Sequence, residues 1–436
     1  MGATVGRIPR CGTGPTGSLG VLRRHCRFAS RTTTLLRSAD FLAKLFILIS
    51  ELNSRDAMVP VMLCGLHARR VASHMQTSRL NVAMIGHGFI GRVHSNAFHQ
   101  AAHFFQIPYE LNLKVVCGRN RATLEAMASQ WNWEAVATDW TQVVTRPDIQ
   151  VVDIAVPNVL HAPIAISAAQ AGKIVLCEKP LAASVQEAEQ MAEAARRVPN
   201  LVWFNYRRVP AVGFAKRLLD EGRLGKIFHY RALYLNQSGN DPSKASGWRY
   251  RRAEAGSGVS GDLLSHVIDM ATYLNGNIAE LCATTHTFAS GRDVDDAAIV
   301  MVRFKNGSVG SFEASRYGVG CSNRNVFEIN GSQGMLRFDL EDMNRLEFFD
   351  ATQPPNLRGT RKLLVTGPDQ PYAENFWKPG HTIGYEHSFI ATLGDFFTAL
   401  SRQEVFRPSF GDGLAVQRVL ERVHKSAETG AWIKCN

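Results

Sequence analysis

Leu80-Asn81-Val82-Ala83-Met84-Ile85-Gly86-His87-Gly88-Phe89-Ile90-Gly91 is the stretch that decides the fold. Six residues of strand character run into a GxGxxG turn, and the residues after Gly91 suit a helix. A glycine pattern alone is weak; between a strand and a helix it is the dinucleotide fingerprint. Gly86 allows a tight turn, Gly88 lets the backbone approach a pyrophosphate and Gly91 lets the helix pack closely, with Phe89 and Ile90 completing the loop. The helix N-terminus then faces the phosphates.

The same grammar continues outward from this junction. Leu113–Cys117 precedes Ala122–Trp131, Val151–Val156 precedes His161–Ala171, Ile174–Cys177 precedes Ser184–Arg197, and Leu201–Asn205 closes the series. Strand alternating with helix predicts an α/β chain whose N-terminal part, residues 81–205, is a doubly wound parallel sheet of Rossmann type. After a helix at Ala211–Glu221, strand-like runs take over: Ile227–Leu235, Leu281–Phe288, Ala297–Phe304, Val309–Ser315, Asn325–Ile329, Met335–Asp339 and Leu346–Phe349. Asn306-Gly307 and Asn330-Gly331 are favoured hairpin dipeptides. Residues 206–436 therefore read as an α+β substrate domain with a large open, mostly antiparallel sheet. A Pro-, Gly- and Asn-rich loop, Gln353–Pro379, leads to a C-terminal helix at His387–Ser401 that is expected to pack back on the first domain.

The net charge of +11 resembles a nucleic-acid signal until it is located: residues 1–80 hold +9 of it, leaving +2 for the other 356 residues. A near-neutral body predicts no nucleic-acid partner. The basic, acid-poor leader reads as sequence upstream of a start at Met58 or Met75, with a transit peptide as the alternative. Phe41–Ile49 is apolar but short and carries Lys44, so no membrane span is expected. Eight scattered cysteines without CxxC spacing point to reduced thiols in the cytoplasm, or in mitochondria if the leader is a transit peptide, and to no metal site.

Chemistry is expected at the carboxyl edge of the parallel sheet. A carboxylate usually follows the second strand and takes the adenosine ribose; here Gly118-Arg119 stands there instead. Arg119 would favour a 2′-phosphate, so NAD(P) is the cofactor and NADP is slightly favoured, unless Arg119 only stacks on adenine or faces solvent. Pro157, Asn158 and His161 follow the fourth strand and suit nicotinamide ribose contacts, with helix capping the alternative for Asn158. Glu178-Lys179-Pro180 ends the next strand, where Lys179 could donate to a reacting hydroxyl or snorkel to water. Gly256-Ser257-Gly258-Val259-Ser260-Gly261 leads into Asp262 and His266, four apart on one helix face. That pair suits proton transfer; equally, Asp262 could cap the helix and His266 sit in the core.

Together GxGxxG, Glu178-Lys179-Pro180, Asn205-Tyr206-Arg207 and the glycine loop to Asp262 and His266 resemble the Gfo/Idh/MocA oxidoreductase family, over about Asn81 to Trp432. Asn205–Val212, Gly247-Trp248-Arg249 and Val294-Asp295-Asp296 are most similar to its levoglucosan and inositol dehydrogenase branch. The resemblance implies hydride transfer between nicotinamide and a secondary hydroxyl of a sugar, anhydrosugar or cyclitol. Lys179, Asp262 and His266 would form the catalytic triad, Glu178 would help hold cofactor, and Asn205, Tyr206, Arg207, Trp248 and Arg249 would line the substrate pocket. It further implies that the open sheet face makes a homodimer or homotetramer. Two other outcomes known in the family are an NAD-dependent glycosidase acting by transient oxidation and a non-catalytic sugar sensor. Gly118 departs from the NAD-using pattern, and the leader has no counterpart in the family.

Overall fold

The computed structural model describes residues 78–241 and 247–435. The leader up to residue 77, including Met58, Met75, Phe41–Ile49 and three of the cysteines, lies outside the described residues. The expected leader boundary at residue 80 is three residues late, because the first strand already begins at Ser78.

Six strands form a fully parallel sheet: β1 (Ser78–Ile85), β2 (Tyr109–Cys117), β3 (Ala135–Ala137), β4 (Val151–Ile154), β5 (Ile174–Cys177) and β6 (Asn200–Val202), in the order β3-β2-β1-β4-β5-β6. β1 is central, and Val82, Ala83, Met84 and Ile85 are buried on both faces, as a covered parallel strand requires. The crossovers carry helices α1 (Phe89–Phe104), α2 (Arg121–Trp131), α3 (Trp140–Val144), α4 (His161–Gln170) and α5 (Val185–Ala194). Caps explain several starts. Asn120 accepts the Thr123 N–H ahead of α2, Asp139 accepts the Thr141 N–H ahead of α3, and Ser184 forms a capping box with Glu187 ahead of α5. The strand order reverses between β1 and β4, which opens the crevice where ligands of such sheets bind.

The chain then passes through α6 (Pro210–Asp220), β7 (Ile227–Leu235) and α7 (Ser265–Asn275). The remaining strands are β8 (Ile278–His286), β9 (Ala297–Phe304), β10 (Val309–Ser315), β11 (Arg324–Gly331), β12 (Gly334–Asp339), β13 (Arg345–Asp350), β14 (Thr360–Leu364) and β15 (Ile433–Lys434), with α8 (Tyr385–Ser401) and α9 (Phe410–Thr429) between β14 and β15. Their sheet runs β14-β13-β12-β11-β7-β10-β9-β8-β15 and is antiparallel except where β7 pairs β10. Asn306-Gly307 does turn the β9–β10 hairpin, with Gly307 at φ +86°. Asn330-Gly331 does not turn the next one: both residues lie in β11, and the turn falls on Ser332-Gln333. β14 lies inside the segment expected to be loop, and α9 is an additional helix absent from the sequence reading.

Two cores hold these layers. α8 lays Phe389, Ile390, Leu393, Phe396 and Phe397 against Phe98, Ala101 and Trp203 on one face of the parallel sheet. Each such buried side chain contributes about 1.5–3 kcal/mol before entropy is counted. The other core joins α4 and α5 to α7, α9 and the inner face of the large sheet. On β9, Ala298, Val300, Val302 and Phe304 point inward while Ile299, Met301 and Arg303 are exposed, the alternation of a sheet covered on one side.

Candidate active site

A cavity of about 1240 Å³ runs along the carboxyl ends of β1, β2, β4 and β5 and continues to the inner edge of the large sheet. Its floor starts at the glycine turn. Gly86 has φ +112°, and a Cβ there would sit 2.1 Å from the Ala155 carbonyl oxygen, so only glycine lets β1 and β4 approach. Gly91 is similarly closed against the Gly86 carbonyl at 2.7 Å, while nothing lies within 4 Å of a Cβ on Gly88, which faces open space. Gly88 is the N-cap of α1, without a side-chain cap and with no acid in the first turn, so the leading N–H groups stay available to an anion. This donor set fits a dinucleotide pyrophosphate.

At the β2 end the cavity is lined by His87, Gly118, Arg119, Thr138 and Trp140, with no carboxylate among these five. His87 occupies the space a side chain on Gly118 would need: a Cβ at 118 would lie 2.4 Å from its Nδ1. Its Nε2 meets Thr123 Oγ1 at 2.9 Å, and burial together with Arg119 lowers its pKa. Sequence reasoning passed over His87, although it stands inside the fingerprint itself.

Lys179 lies two residues past the end of β5 and reaches across to the second domain. Its Nζ donates to the Asp262 carbonyl oxygen at 2.8 Å and to Asp262 Oδ1 at 3.2 Å. Asp262 lies in a turn of π-helix, Ser260–Leu264, that opens directly into α7, a local irregularity frequent at functional sites. The loop ahead of it is held by Asp295, which accepts the Gly258 and Ser260 N–H groups at 2.8 and 2.7 Å. A Cβ on Gly258 would lie 1.9 Å from the Asp295 carbonyl oxygen. Arg316, just past β10, donates to Asp262 Oδ2 at 3.2 Å, and Arg249 Nε lies 3.8 Å from Oδ1. Burial pushes the Asp262 carboxyl up, but Lys179, Arg316 and Arg249 together hold it well below the usual carboxylate range. Arg316 is almost fully buried, and no pattern around it in the sequence announces the contact.

His266 lines the same cavity, with its ring 4.6 Å from Tyr206 and 5.8 Å from Tyr234. It makes no hydrogen bond to the described residues. Burial and then the Lys179 ammonium push its pKa well below the ordinary histidine value, against the pull of Asp262. A neutral imidazole at physiological pH can accept a proton. Asp262 is thus bonded to Lys179 and Arg316, and the expected direct Asp262–His266 partnership is replaced by two separate arms of the site.

The other expected residues divide. Pro157, Asn158, Glu178, Asn205, Tyr206, Trp248 and Arg249 line the cavity with Phe89 and Ile90. Asn158 caps no helix; its Nδ2 donates to the Ala255 carbonyl at 2.9 Å. Asn205 Nδ2 donates to Ser388 Oγ at 2.8 Å, tying α8 to the pocket wall. Tyr206 Oη and Tyr234 Oη are 2.9 Å apart, and Tyr234 donates to Asn323 Oδ1 at 2.7 Å. Two residues lie off the cavity. His161 is buried with Nδ1 3.1 Å from the Pro180 carbonyl and Nε2 3.0 Å from that of Val156, so both nitrogens face backbone carbonyls and the neutral ring's single N–H is taken by one of them. Arg207 is buried against Asp269, with Nε and Nη2 donating at 3.0 and 2.6 Å, a structural pair rather than a substrate contact. Among the described residues no His, Cys, Asp or Glu cluster has the arrangement of a metal site, and no helix is long and apolar enough to cross a membrane.

A dinucleotide crevice opening onto a lysine, an ionised carboxylate and a neutral imidazole defines a nicotinamide-dependent oxidoreductase. The chain belongs to the Gfo/Idh/MocA family of such enzymes: residues 80–206 match the oxidoreductase family's NAD-binding Rossmann fold and residues 213–337 the GFO/IDH/MocA C-terminal domain. It is 38% identical over 381 residues to the levoglucosan dehydrogenase of Pseudarthrobacter phenanthrenivorans, covering 81% of this chain and 97% of that one. A solved oxidoreductase domain protein from Kribbella flavida is 42% identical, with a TM-score of 0.80 over 82% of this chain and all of that one. Levoglucosan dehydrogenase solved with NADH and levoglucosan is 39% identical, with a TM-score of 0.79 over 82% of this chain and 99% of that one.

Proposed function

We propose that the protein oxidises one secondary hydroxyl of a neutral sugar, anhydrosugar or cyclitol. The observation that carries this reading is the Lys179–Asp262 pair at 2.8 and 3.2 Å, set beside the unbonded His266 in one cavity with the glycine turn. The nicotinamide cofactor, when bound, supplies the hydride acceptor. His266 takes the hydroxyl proton; Lys179 holds the oxygen and stabilises its developing negative charge; Asp262 keeps the ammonium oriented, itself fixed by Arg316. Tyr206, Trp248, Arg249 and Asn205 wall the sugar. Retention of all three polar groups speaks against a silent sugar sensor, since function follows the site.

Arg119 and His87 stand where a ribose-binding carboxylate is common, which supports acceptance of NADP at least as well as NAD. The relatives solved with NADH make NAD the competing outcome. The exposed face of the large sheet is proposed to form the homodimer or homotetramer contact, and the cytoplasm is the proposed compartment. The test is a screen of sugars, anhydrosugars and cyclitols with both NAD and NADP, followed by nicotinamide absorbance. Turnover with net NADH or NADPH supports the reading. Release of free sugar from glycosides without net reduced cofactor would replace it by the glycosidase reading.

A further inference from the structure

Beneath the site runs a buried chain of charge that the proposed chemistry does not use. His94 of α1 is fully buried, and its Nδ1 lies 2.8 Å from Asp153 Oδ2 on β4. Trp203 Nε1 donates to the other oxygen of that carboxylate at 2.9 Å, and the imidazole stacks on the Trp203 ring at 4.1 Å between centroids. Phe389 of α8 closes the remaining side, 5.5 Å away. Across the ring, Nε2 faces Glu178 Oε1 at 3.2 Å, close enough for an ion pair but off the line of a hydrogen bond. The second oxygen of Glu178 accepts the backbone N–H of Lys179 at 3.1 Å. Aromatic rings and sheet backbone therefore enclose the imidazole and Asp153, while Glu178 meets the far side of the ring from the cavity wall.

A carboxylate taken out of water is held best by a cationic partner. The imidazole is the group that faces both carboxylates. Burial pushes its pKa down, but Asp153 and Glu178 outweigh that and raise it to about 9.

We propose that His94 is a positioning residue for Lys179: as an imidazolium clamped between Asp153 and Glu178, it fixes the carboxylate that accepts the Lys179 N–H and so sets the line along which the ammonium meets the substrate oxygen. The role given to Lys179 rests on the dehydrogenase reading; the clamp itself does not. Without the imidazolium, nothing on the other side of Glu178 fixes the carboxylate that accepts the Lys179 N–H, and the ammonium loses its line to the substrate oxygen. The glycine turn, which holds pyrophosphate, is untouched.

The experiment uses the full chain, with NADH and NADPH as binding probes and levoglucosan or the best sugar of the screen as the oxidised probe. In protein labelled with 15N-histidine, both His94 nitrogens are expected to carry protons at neutral pH. A neutral His94 overturns the proposal whether or not any sugar is turned over, which separates its failure from that of the dehydrogenase reading. His94→Gln is expected to lower kcat by roughly tenfold or more, with sugar KM and cofactor Kd within about threefold of the parent, and to raise the primary deuterium isotope effect on kcat. Unchanged kcat per cofactor-binding site overturns it. Because His94→Gln strands two carboxylates, the double variant His94→Gln/Asp153→Asn removes one of them. The clamp expects this variant to regain thermal stability while kcat stays low; kcat recovering together with stability would mean that His94 only supports the fold.

Discussion

Lys179 spends two of its three ammonium donors on Asp262, which leaves one for a substrate oxygen. Lys179→Met should therefore leave NADH binding intact while lowering kcat by about a hundredfold or more, the usual scale for a positioned proton-transfer or oxyanion group; near-normal turnover would remove its role. His266 gives the matching pH expectation. Its pKa is lowered, so it stays neutral through pH 6.5 and is protonated only further down. Oxidation should fall on the acid side, with a limb in kcat/KM below the ordinary histidine value that disappears in His266→Asn. At the cofactor end the space around Gly118 changes the obvious test. Gly118→Asp alone would drive its Cβ into His87, and weakened binding of both cofactors is expected. Paired with His87→Ala, the new carboxylate should shift the kcat/KM ratio toward NAD by about tenfold. An unchanged ratio there and in Arg119→Ala would show that this corner does not read the 2′ position.

Among elements, the π-turn at Ser260–Leu264 matters most, because it brings Asp262 to Lys179 while His266 enters from the first turn of α7. The glycine run before it was legible, yet the reason for Gly258 was not: it lies 37 residues away in sequence, in the backbone of Asp295. Gly258→Ala is expected to lower both Tm and kcat/KM, the latter by about tenfold, since a displaced loop shifts Asp262 by a fraction of an ångström. Parent-like melting and kinetics would show that the loop absorbs the methyl. β7, β9 and β10 could be read to the residue, β9 from its strict alternation. α9 could not, because Gly411 and Gly413 in its first turns mask the helical pattern; the Ser409–Asp412 capping box is the signal that marks its start.

For the whole molecule, assembly is proposed to use the outward face of the nine-stranded sheet. Ile299 and Met301 are exposed by 54% and 51%, side by side on β9. If this face joins copies of the chain, the parent sediments as a dimer or tetramer and Ile299→Lys/Met301→Lys as a monomer with its fold intact. A monomeric parent at micromolar concentration, or a double variant that assembles normally, would falsify that arrangement.

The sequence by itself determined the parallel sheet, the glycine turn, the site lysine and the glycine loop leading to Asp262, because these depend on local periodicity, backbone freedom and short-range motif order. Its near-neutral body likewise pointed away from nucleic acid. Only the tertiary structure decided that His161 and Arg207 lie off the cavity, that Arg316 and Lys179 share Asp262, that His87 fills the space beside Gly118, and that His94 sits between Asp153 and Glu178. The physical reason is the same in each case. Burial and charge partnership are made by residues distant in the chain, and a side chain whose hydrogen bonds are already satisfied by the fold has none left for a ligand.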